Sequence, residues 1–105
     1  MLCDFIQEAK QQIQDSEGFY QKNDCKGVQS ELHTLKGNSG TLGAAEVYTI
    51  CKKIEAKAKV CDFKEFELEI ELLKQALHRF EEAVQVQYAW FSDKMAYLAI
   101  YIKDK

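Results

Sequence analysis

Apolar residues recur at spacings of three and four along the whole chain, and no proline interrupts them. This periodicity is typical of helices that each bury one face, whereas half-buried strands alternate between apolar and polar residues. Proline is the residue that most strongly breaks a helix interior, and it is absent from all 105 positions. We therefore predict an all-α fold, in a single domain whose length supports one hydrophobic core.

Four periodic segments are separated by short connections. Their predicted inward-facing residues are Leu2, Ile6, Ala9, Ile13, Ser16 and Tyr20; Cys25, Val28, Leu32, Leu35, Ser39 and Leu42; Val47, Cys51, Ile54, Ala58 and Cys61; and Phe66, Ile70, Leu73, Leu77, Phe80 and Val84. Asp24 is expected to cap the second helix and Gly43 to end it. Asp62 and Glu65 have the spacing of a capping box before the fourth helix. Helices joined by such short connections lie antiparallel, so residues 1–90 are predicted to form an up-and-down four-helix bundle.

The apolar stripe of the fourth segment continues beyond the bundle, through Phe91, Met95, Leu98 and Ile102. A single helix over this whole segment would be about 60 Å long, about twice the length of the bundle. Residues 91–105 are therefore predicted to form a helical extension. Either the helix is continuous and forms a homodimer through residues 88–102, or it breaks at Ser92 or Asp93 and folds back. The average spacing of about 3.5 residues favours the continuous, self-associating helix.

Charge and hydropathy exclude several classes of function. The formal net charge of -3 argues against nucleic-acid binding, because nucleic-acid-binding proteins normally carry a basic excess. No apolar run approaches the length of a membrane span. The first residues, "MLCDFIQEAK", reach charged positions too early for the apolar region of a signal peptide. We therefore expect a cytoplasmic protein without membrane insertion.

The four cysteines are Cys3, Cys25, Cys51 and Cys61, and their spacing does not match a metal site. An even number permits two disulfides, but a well-patterned helical core does not need them. Cys51 and Cys61 also lie on a predicted apolar stripe. We therefore expect buried, reduced thiols, as is usual in the cytoplasm.

The stretch "ELHTLKGNSGTLGA" places glycines inside the second predicted helix, where each costs about 1 kcal/mol relative to alanine. On a helical wheel, His33 lies about 160° from the inward-facing Leu35 and therefore faces solvent. Lys36, Gly37 and Gly40 share this outer face, at the spacings of helix neighbours. The pattern predicts an exposed imidazole beside a lysine, on a surface cleared of side chains.

Each of these residues has a chemical interpretation. A solvated imidazole is largely neutral and nucleophilic near pH 7. Lys36, one turn along, could offset negative charge on a group attached to His33. Glycines allow another protein's backbone to approach closely. The combination indicates a histidine that receives a group from a protein, not from a small molecule held in a pocket.

The segment "HTLKGNSGTLGA", residues 33–44, resembles the signature of the histidine-containing phosphotransfer domain, H-x-x-K-G-x-x-x-x-x-G. The resemblance implies a phosphorelay intermediate of two-component signal transduction. His33 would accept a phosphoryl group at Nε2 from a receiver-domain aspartyl phosphate and pass it to another receiver. Lys36 would offset the phosphoryl charge and Gly37 would leave room for the receiver.

The same resemblance implies the partners and the chemistry that the chain lacks. The partners would be upstream and downstream receiver domains and a hybrid sensor kinase. Gln29, Ser30 and Gly40 are further candidate contacts for docking. The receiver would supply Mg²⁺, so the chain would be a phosphocarrier without a metal site, nucleotide site or cofactor of its own, and not an enzyme.

Two other classes of function are alternatives to the phosphocarrier, and the second of them is poorly supported. The first is a helical adaptor or dimerisation module that acts through its aromatic C-terminal tail, with a histidine that is not phosphorylated. The second is an enzyme with its own pocket, which would need further polar residues at helical spacing near His33, and we find none. The second histidine, His78, has no comparable neighbours and is expected to be an ordinary surface residue.

Overall fold

The computed structural model describes the backbone of residues 2–103 and the side chains of residues 4–85. The four helices are α1 (Leu2–Gln21), α2 (Cys25–Leu42), α3 (Ala45–Lys59) and α4 (Phe66–Lys103). Each helix packs against the next one in the chain, and α1 also packs against α4, which closes the bundle. The predicted all-α, antiparallel four-helix bundle is confirmed. Within the described part of the chain, no helix combines the length and the apolar character needed to cross a bilayer.

The core lies where the apolar stripes of the four helices meet. Its buried members are Phe5, Ile6, Ala9 and Ile13; Val28, Leu32 and Leu35; Ala44, Val47, Cys51, Ile54 and Ala58; and Phe66, Ile70, Leu73, Ala76 and Leu77. The predicted inward-facing set is wrong at two described positions, because Leu42 and Cys61 are exposed. Both lie at or beyond the end of a helix, where the helical repeat no longer determines the direction of a side chain.

Asp24 and Gly43 set the two ends of α2 as predicted. The Asp24 carboxylate accepts a hydrogen bond from the backbone N–H of Gly27 at 3.0 Å, which caps the first turn. Gly43 follows the last residue of α2 with φ of 77°, in the left-handed region that glycine adopts without steric cost. The backbone N–H of Ala44 then donates to the carbonyl oxygen of Ser39 at 2.9 Å, so the chain reverses directly into α3.

The predicted capping box before α4 is wrong. The helix begins at Phe66, and Asp62 accepts a hydrogen bond from the backbone N–H of Lys64 at 3.3 Å within the preceding turn. The turn is held to α3 by Lys57, whose ammonium lies 3.2 Å from Glu65 and 3.1 Å from Glu69. The start of α4 at Phe66 is therefore three residues later than Phe63, where a cap at Asp62 would begin the helix.

The expectation of reduced, buried cysteines is wrong for two of them. A disulfide joins Cys25, the first residue of α2, to Cys61, two residues beyond the end of α3, with their Cα atoms 5.5 Å apart. Cys61 is not on the α3 stripe because that helix ends at Lys59. Cys51 is free and buried as expected, and burial raises the pKa of its thiol to about 12. The side chain of Cys3 lies outside the described residues.

The C-terminal extension has a continuous backbone. Helix α4 contains 38 residues and runs without a break through Ser92 and Asp93, so the continuous helix is the observed form of the backbone. At 1.5 Å per residue it is about 57 Å long, so its second half extends well past the ends of the other helices. The side chains at positions 88–102, on which the predicted self-association depends, lie outside the described residues.

Gly27 allows α1 and α2 to approach closely. A Cβ atom at this position would lie 2.5 Å from Cγ of the Phe19 ring, nearer than non-bonded atoms can be. The Phe19 ring packs against the core, so the glycine is required by its neighbour and not by the backbone of its own helix.

Replacing Gly27 with alanine is expected to lower the free energy of unfolding by about 1–3 kcal/mol, because the added methyl group overpacks the contact with Phe19. Gly37→Ala is the matched control in the same helix, since no described neighbour lies within 4 Å of its added Cβ. That variant should be neutral or gain up to about 1 kcal/mol from helix propensity. Urea denaturation measures both changes, and equal stabilities would contradict a packing role for Gly27.

Candidate functional site

His33 lies on the outer face of α2, and the opposite face of the helix packs in the core. Its neighbours Leu32 and Leu35 are fully buried, which sets the rotation of the helix about its axis. The imidazole therefore points outward, and 67% of its side-chain surface is exposed. The predicted exposure of His33 is confirmed.

Glu55 brings a carboxylate from α3 to this face of α2. Its Oε1 atom lies 2.9 Å from Nδ1 of His33, and its Oε2 atom lies 2.7 Å from Nζ of Lys36. The Glu55 side chain is only 5% exposed. One buried carboxylate thus binds the imidazole and the ammonium together, with each oxygen engaged by a different partner.

The contact with Glu55 selects one form of the imidazole ring. An ionised carboxylate can only accept hydrogen bonds, so Nδ1 of His33 must be the donor. In a neutral imidazole the proton then resides on Nδ1, and Nε2 keeps its lone pair. The arrangement therefore presents Nε2 as the nucleophilic atom of a largely exposed ring.

Glu55 is ionised at neutral pH despite its burial. Burial alone raises the pKa of a carboxyl group, but the hydrogen bonds from Lys36 and His33 outweigh it and hold the pKa of Glu55 below its ordinary value of 4.5. In return, the hydrogen bond to Glu55 raises the pKa of Lys36 above its ordinary value of 10.5. The site is an ion pair with an exposed imidazole attached to it.

Lys36 differs in one respect from the sequence prediction. It lies beside His33 on the helix, but its side chain is only 22% exposed, because its ammonium turns toward Glu55. A wheel of one helix cannot show this, since the carboxylate comes from the next helix. Lys36 therefore fixes the carboxylate that holds the imidazole, in addition to placing positive charge nearby.

The two outer-face glycines of α2 have different surroundings. At Gly37, no described atom lies within 4 Å of an added Cβ, which agrees with a cleared surface. At Gly40, an added Cβ would lie 3.3 Å from Cδ2 of the Tyr48 ring. The prediction of an empty surface at Gly40 is wrong because Tyr48 of α3 packs across that position.

His33 opens onto a shallow groove between α2 and α3. The groove is lined by Lys26, Gln29, Ser30, His33, Glu55 and Lys59. Gln29 and Ser30 thus lie on the same surface as His33, as expected from their place one turn earlier. Lys26 and Lys59 add two cations that the sequence analysis did not single out.

Glu55 is the site residue that sequence reasoning missed, although a signal for it was present. It lies four residues after Cys51 and three before Ala58, both buried, and is therefore on the inward face of α3. A charged residue on a buried helix face needs a partner. The search for polar residues at helical spacing near His33 did not find Glu55, because it belongs to another helix and the spacing along one helix does not report contacts between helices.

His78 has a different setting. It lies on α4, is exposed, and pairs with Glu82 of the same helix at 3.0 Å between Nε2 and Oε1. It has no part in the α2–α3 groove. Among the residues with described side chains, no three His, Cys, Asp or Glu side chains converge as a metal-binding group does.

Comparisons with known proteins identify the family and the fold of this chain. The sequence matches the family model for the Hpt domain over residues 1–84. Among curated proteins, none matches this chain. The solved structure of histidine-containing phosphotransfer protein B from Pseudomonas aeruginosa PAO1 is similar, with a TM-score of 0.78 and 19% sequence identity, over 82% of this chain and 75% of that one. At this identity the structural match establishes the fold.

Proposed function

The chain belongs to the Hpt domain family, and we propose that it is a phosphorelay intermediate that carries the phosphoryl group on His33. Hpt domains are phosphocarriers of two-component signalling and not enzymes. The observation that supports His33 most strongly is the Glu55 carboxylate, which accepts a hydrogen bond from Nδ1 and leaves Nε2 as the reactive nitrogen.

In the proposed transfer, the Nε2 lone pair attacks the phosphorus atom of a receiver's aspartyl phosphate. The bond between phosphorus and the aspartyl oxygen breaks in line, and the aspartate leaves as a carboxylate. Because Nδ1 keeps its proton, the imidazole becomes positively charged, and the Glu55 oxygen at 2.9 Å stabilises that charge. Transfer to a second receiver is the reverse of these steps.

The neighbours of His33 have supporting roles in this proposal. Lys36 holds the second oxygen of Glu55 and offsets the charge of the phosphoryl group. Gly37 leaves room for the receiver, while Gln29 and Ser30 contact it from the groove. Gly40 contributes to the docking surface through Tyr48, whose ring lies against it.

The proposed partners are receiver domains on both sides of the relay, with a hybrid sensor kinase upstream. We place the chain in the cytoplasm, where the aspartyl phosphates of such receivers are formed. Receiver recognition would depend on the α2–α3 groove, because an exposed histidine without an enclosing pocket needs the partner to complete the reaction site.

His33→Gln is expected to abolish phosphoryl acceptance, because it removes the nucleophilic nitrogen. The measurement incubates the protein with a panel of receiver domains phosphorylated by acetyl phosphate, and follows acid-labile, base-stable phosphate on the chain. His78→Gln is the matched control and should accept phosphate like the wild type. Phosphorylation of the His33→Gln variant at the wild-type level would contradict the proposed function and leave the adaptor as the better hypothesis.

Glu55→Ala is expected to slow transfer by about tenfold or more, because a misplaced reacting group can cost up to about 100-fold in rate. Glu55→Gln should recover only part of the rate, because its one amide oxygen can accept the hydrogen bond from Nδ1 but carries no charge to stabilise the imidazolium and leaves Lys36 without its acceptor. Glu69→Ala is the control, because Glu69 is a buried carboxylate paired with a lysine, Lys57, outside the groove. Equal rates for the two alanine variants would show that Glu55 has only a structural role.

We further propose that the chain forms a homodimer through residues 88–102. The bundle and the extension would then be separate functional units divided near residue 90. The support is the long continuous helix α4 together with the apolar stripe of the sequence beyond the bundle. An unpaired stripe of this kind would otherwise expose apolar surface to water.

Truncation after Gln87 is expected to convert a dimer into a monomer while the bundle stays folded. Analytical ultracentrifugation measures the mass, and circular dichroism checks the helices. A full-length chain that sediments as a monomer, or a truncated chain that remains dimeric, would contradict the role of residues 88–102.

A further inference from the structure

The disulfide between Cys25 and Cys61 joins the two helices that form the His33 groove, at one end of that groove. Cys25 begins α2 and Cys61 follows the end of α3. Lys26 is the next residue after Cys25, and Lys59 lies two residues before Cys61; both lysines line the groove. His33 lies eight residues along α2 from the bond, which is about 12 Å.

The backbone at Cys61 adopts a conformation that is uncommon for a residue other than glycine. Its φ of 53° lies in the left-handed region, which glycine adopts freely and other residues only at a cost. The conformation is held by hydrogen bonds from the N–H of Cys61 to the Ala58 carbonyl at 3.1 Å and from the N–H of Asp62 to the Lys57 carbonyl at 2.9 Å. Cys61 therefore occupies a costly backbone conformation at the end of α3, and its sulfur is bonded to Cys25.

The disulfide is accessible, unlike the remaining described thiol. Cys61 is exposed and Cys25 is half-buried, whereas Cys51 is fully buried in the core. Thiol–disulfide exchange requires an incoming thiolate to reach a sulfur atom, so exposure is the condition for a bond that can open and close. In a reducing compartment such a pair is expected to be a dithiol until an oxidant arrives.

We propose that Cys25 and Cys61 form a redox clamp on the receiver-docking groove, in which the disulfide fixes the ends of α2 and α3 and speeds phosphoryl transfer with receivers. This inference rests on the proposed function. The oxidised form holds Lys26 and Lys59 in one relative position, so docking does not have to order them. The dithiol form lets the two helix ends move apart and slows transfer.

The redox step is a thiol–disulfide exchange with oxidised glutathione. The Cys61 thiolate attacks one sulfur of glutathione disulfide, forming a mixed disulfide and releasing one glutathione thiolate. The Cys25 thiolate then attacks the Cys61 sulfur of the mixed disulfide and releases the second glutathione. Two protein thiols are oxidised, one glutathione disulfide is reduced to two glutathiones, and the reaction reverses when reduced glutathione is in excess.

The test compares the full-length chain after equilibration in oxidised and in reduced glutathione buffers. Alkylation of free thiols followed by peptide mass spectrometry identifies the bond. Two phosphoryl donors are then used on each form: a receiver domain phosphorylated by acetyl phosphate, and phosphoramidate, a small molecule that phosphorylates imidazole without docking. The double variant Cys25→Ser, Cys61→Ser lacks the clamp, and Cys3→Ser controls for bonds between chains.

The oxidised wild type is expected to accept phosphate from the receiver at least about threefold faster than the reduced form, because Lys26 and Lys59 are already ordered and docking does not have to immobilise them. Phosphoramidate should label both forms at the same rate, because it needs no docking surface. The double variant should behave like the reduced wild type in both buffers, and Cys3→Ser like the wild type. If the double variant does not fold, the reduced wild type still provides the form without the bond.

Three results would overturn the clamp while leaving the proposed function intact: mass spectrometry that finds no bond between Cys25 and Cys61, equal receiver rates for the two forms, or a phosphoramidate rate that changes as much as the receiver rate. Failure of both donors to phosphorylate His33 in either form would overturn the proposed function and the clamp together. In that case the disulfide found by mass spectrometry would be a structural feature without a role in phosphoryl transfer.

Discussion

The buried carboxylate of Glu55 is the interaction on which the site depends, because it holds residues from two turns of α2 in one arrangement. Its two oxygens accept from Nδ1 of His33 and from Nζ of Lys36, at 2.9 and 2.7 Å. A buried carboxylate without such partners would take up a proton. The pair of contacts keeps it charged, and the charged carboxylate in turn fixes which nitrogen of His33 is free to react.

This dependence links the reactive atom to the packing of the bundle. Glu55 reaches His33 because α2 and α3 are antiparallel neighbours with fully buried residues, Leu32 and Ile54, beside the two site residues. The chain reverses between these helices at Gly43, and Tyr48 packs across Gly40 just beyond the turn. At the opposite end of the groove, the disulfide between Cys25 and Cys61 joins the helices again. Helices α2 and α3 are therefore joined by a short turn at one end and by the disulfide at the other.

The glycines of α2 illustrate how one residue type serves several physical needs. Gly27 makes room for Phe19, Gly40 makes room for Tyr48, and Gly43 adopts a positive φ at the turn. Gly37 and Gly43 both have open space around an added Cβ, but only Gly37 lies within the helix next to His33. These glycines therefore serve three purposes, which are packing, chain reversal and access to His33. Access to His33 does not by itself explain why the segment is rich in glycine.

The four helices, most of the core and the exposure of His33 can be predicted from the amino-acid sequence, because they follow from a periodicity that is local to each helix. Both ends of α2 can be predicted as well, since Asp24 and Gly43 act through the nearest turns. The contacts of Glu55 with His33 and Lys36, of Tyr48 with Gly40, and of Cys25 with Cys61 are visible only in the folded structure. Each of these contacts joins residues from different parts of the chain. Whether such residues meet depends on how the helices are rotated, how they cross and how the turns are shaped. The spacing of residues along one helix carries no information about these.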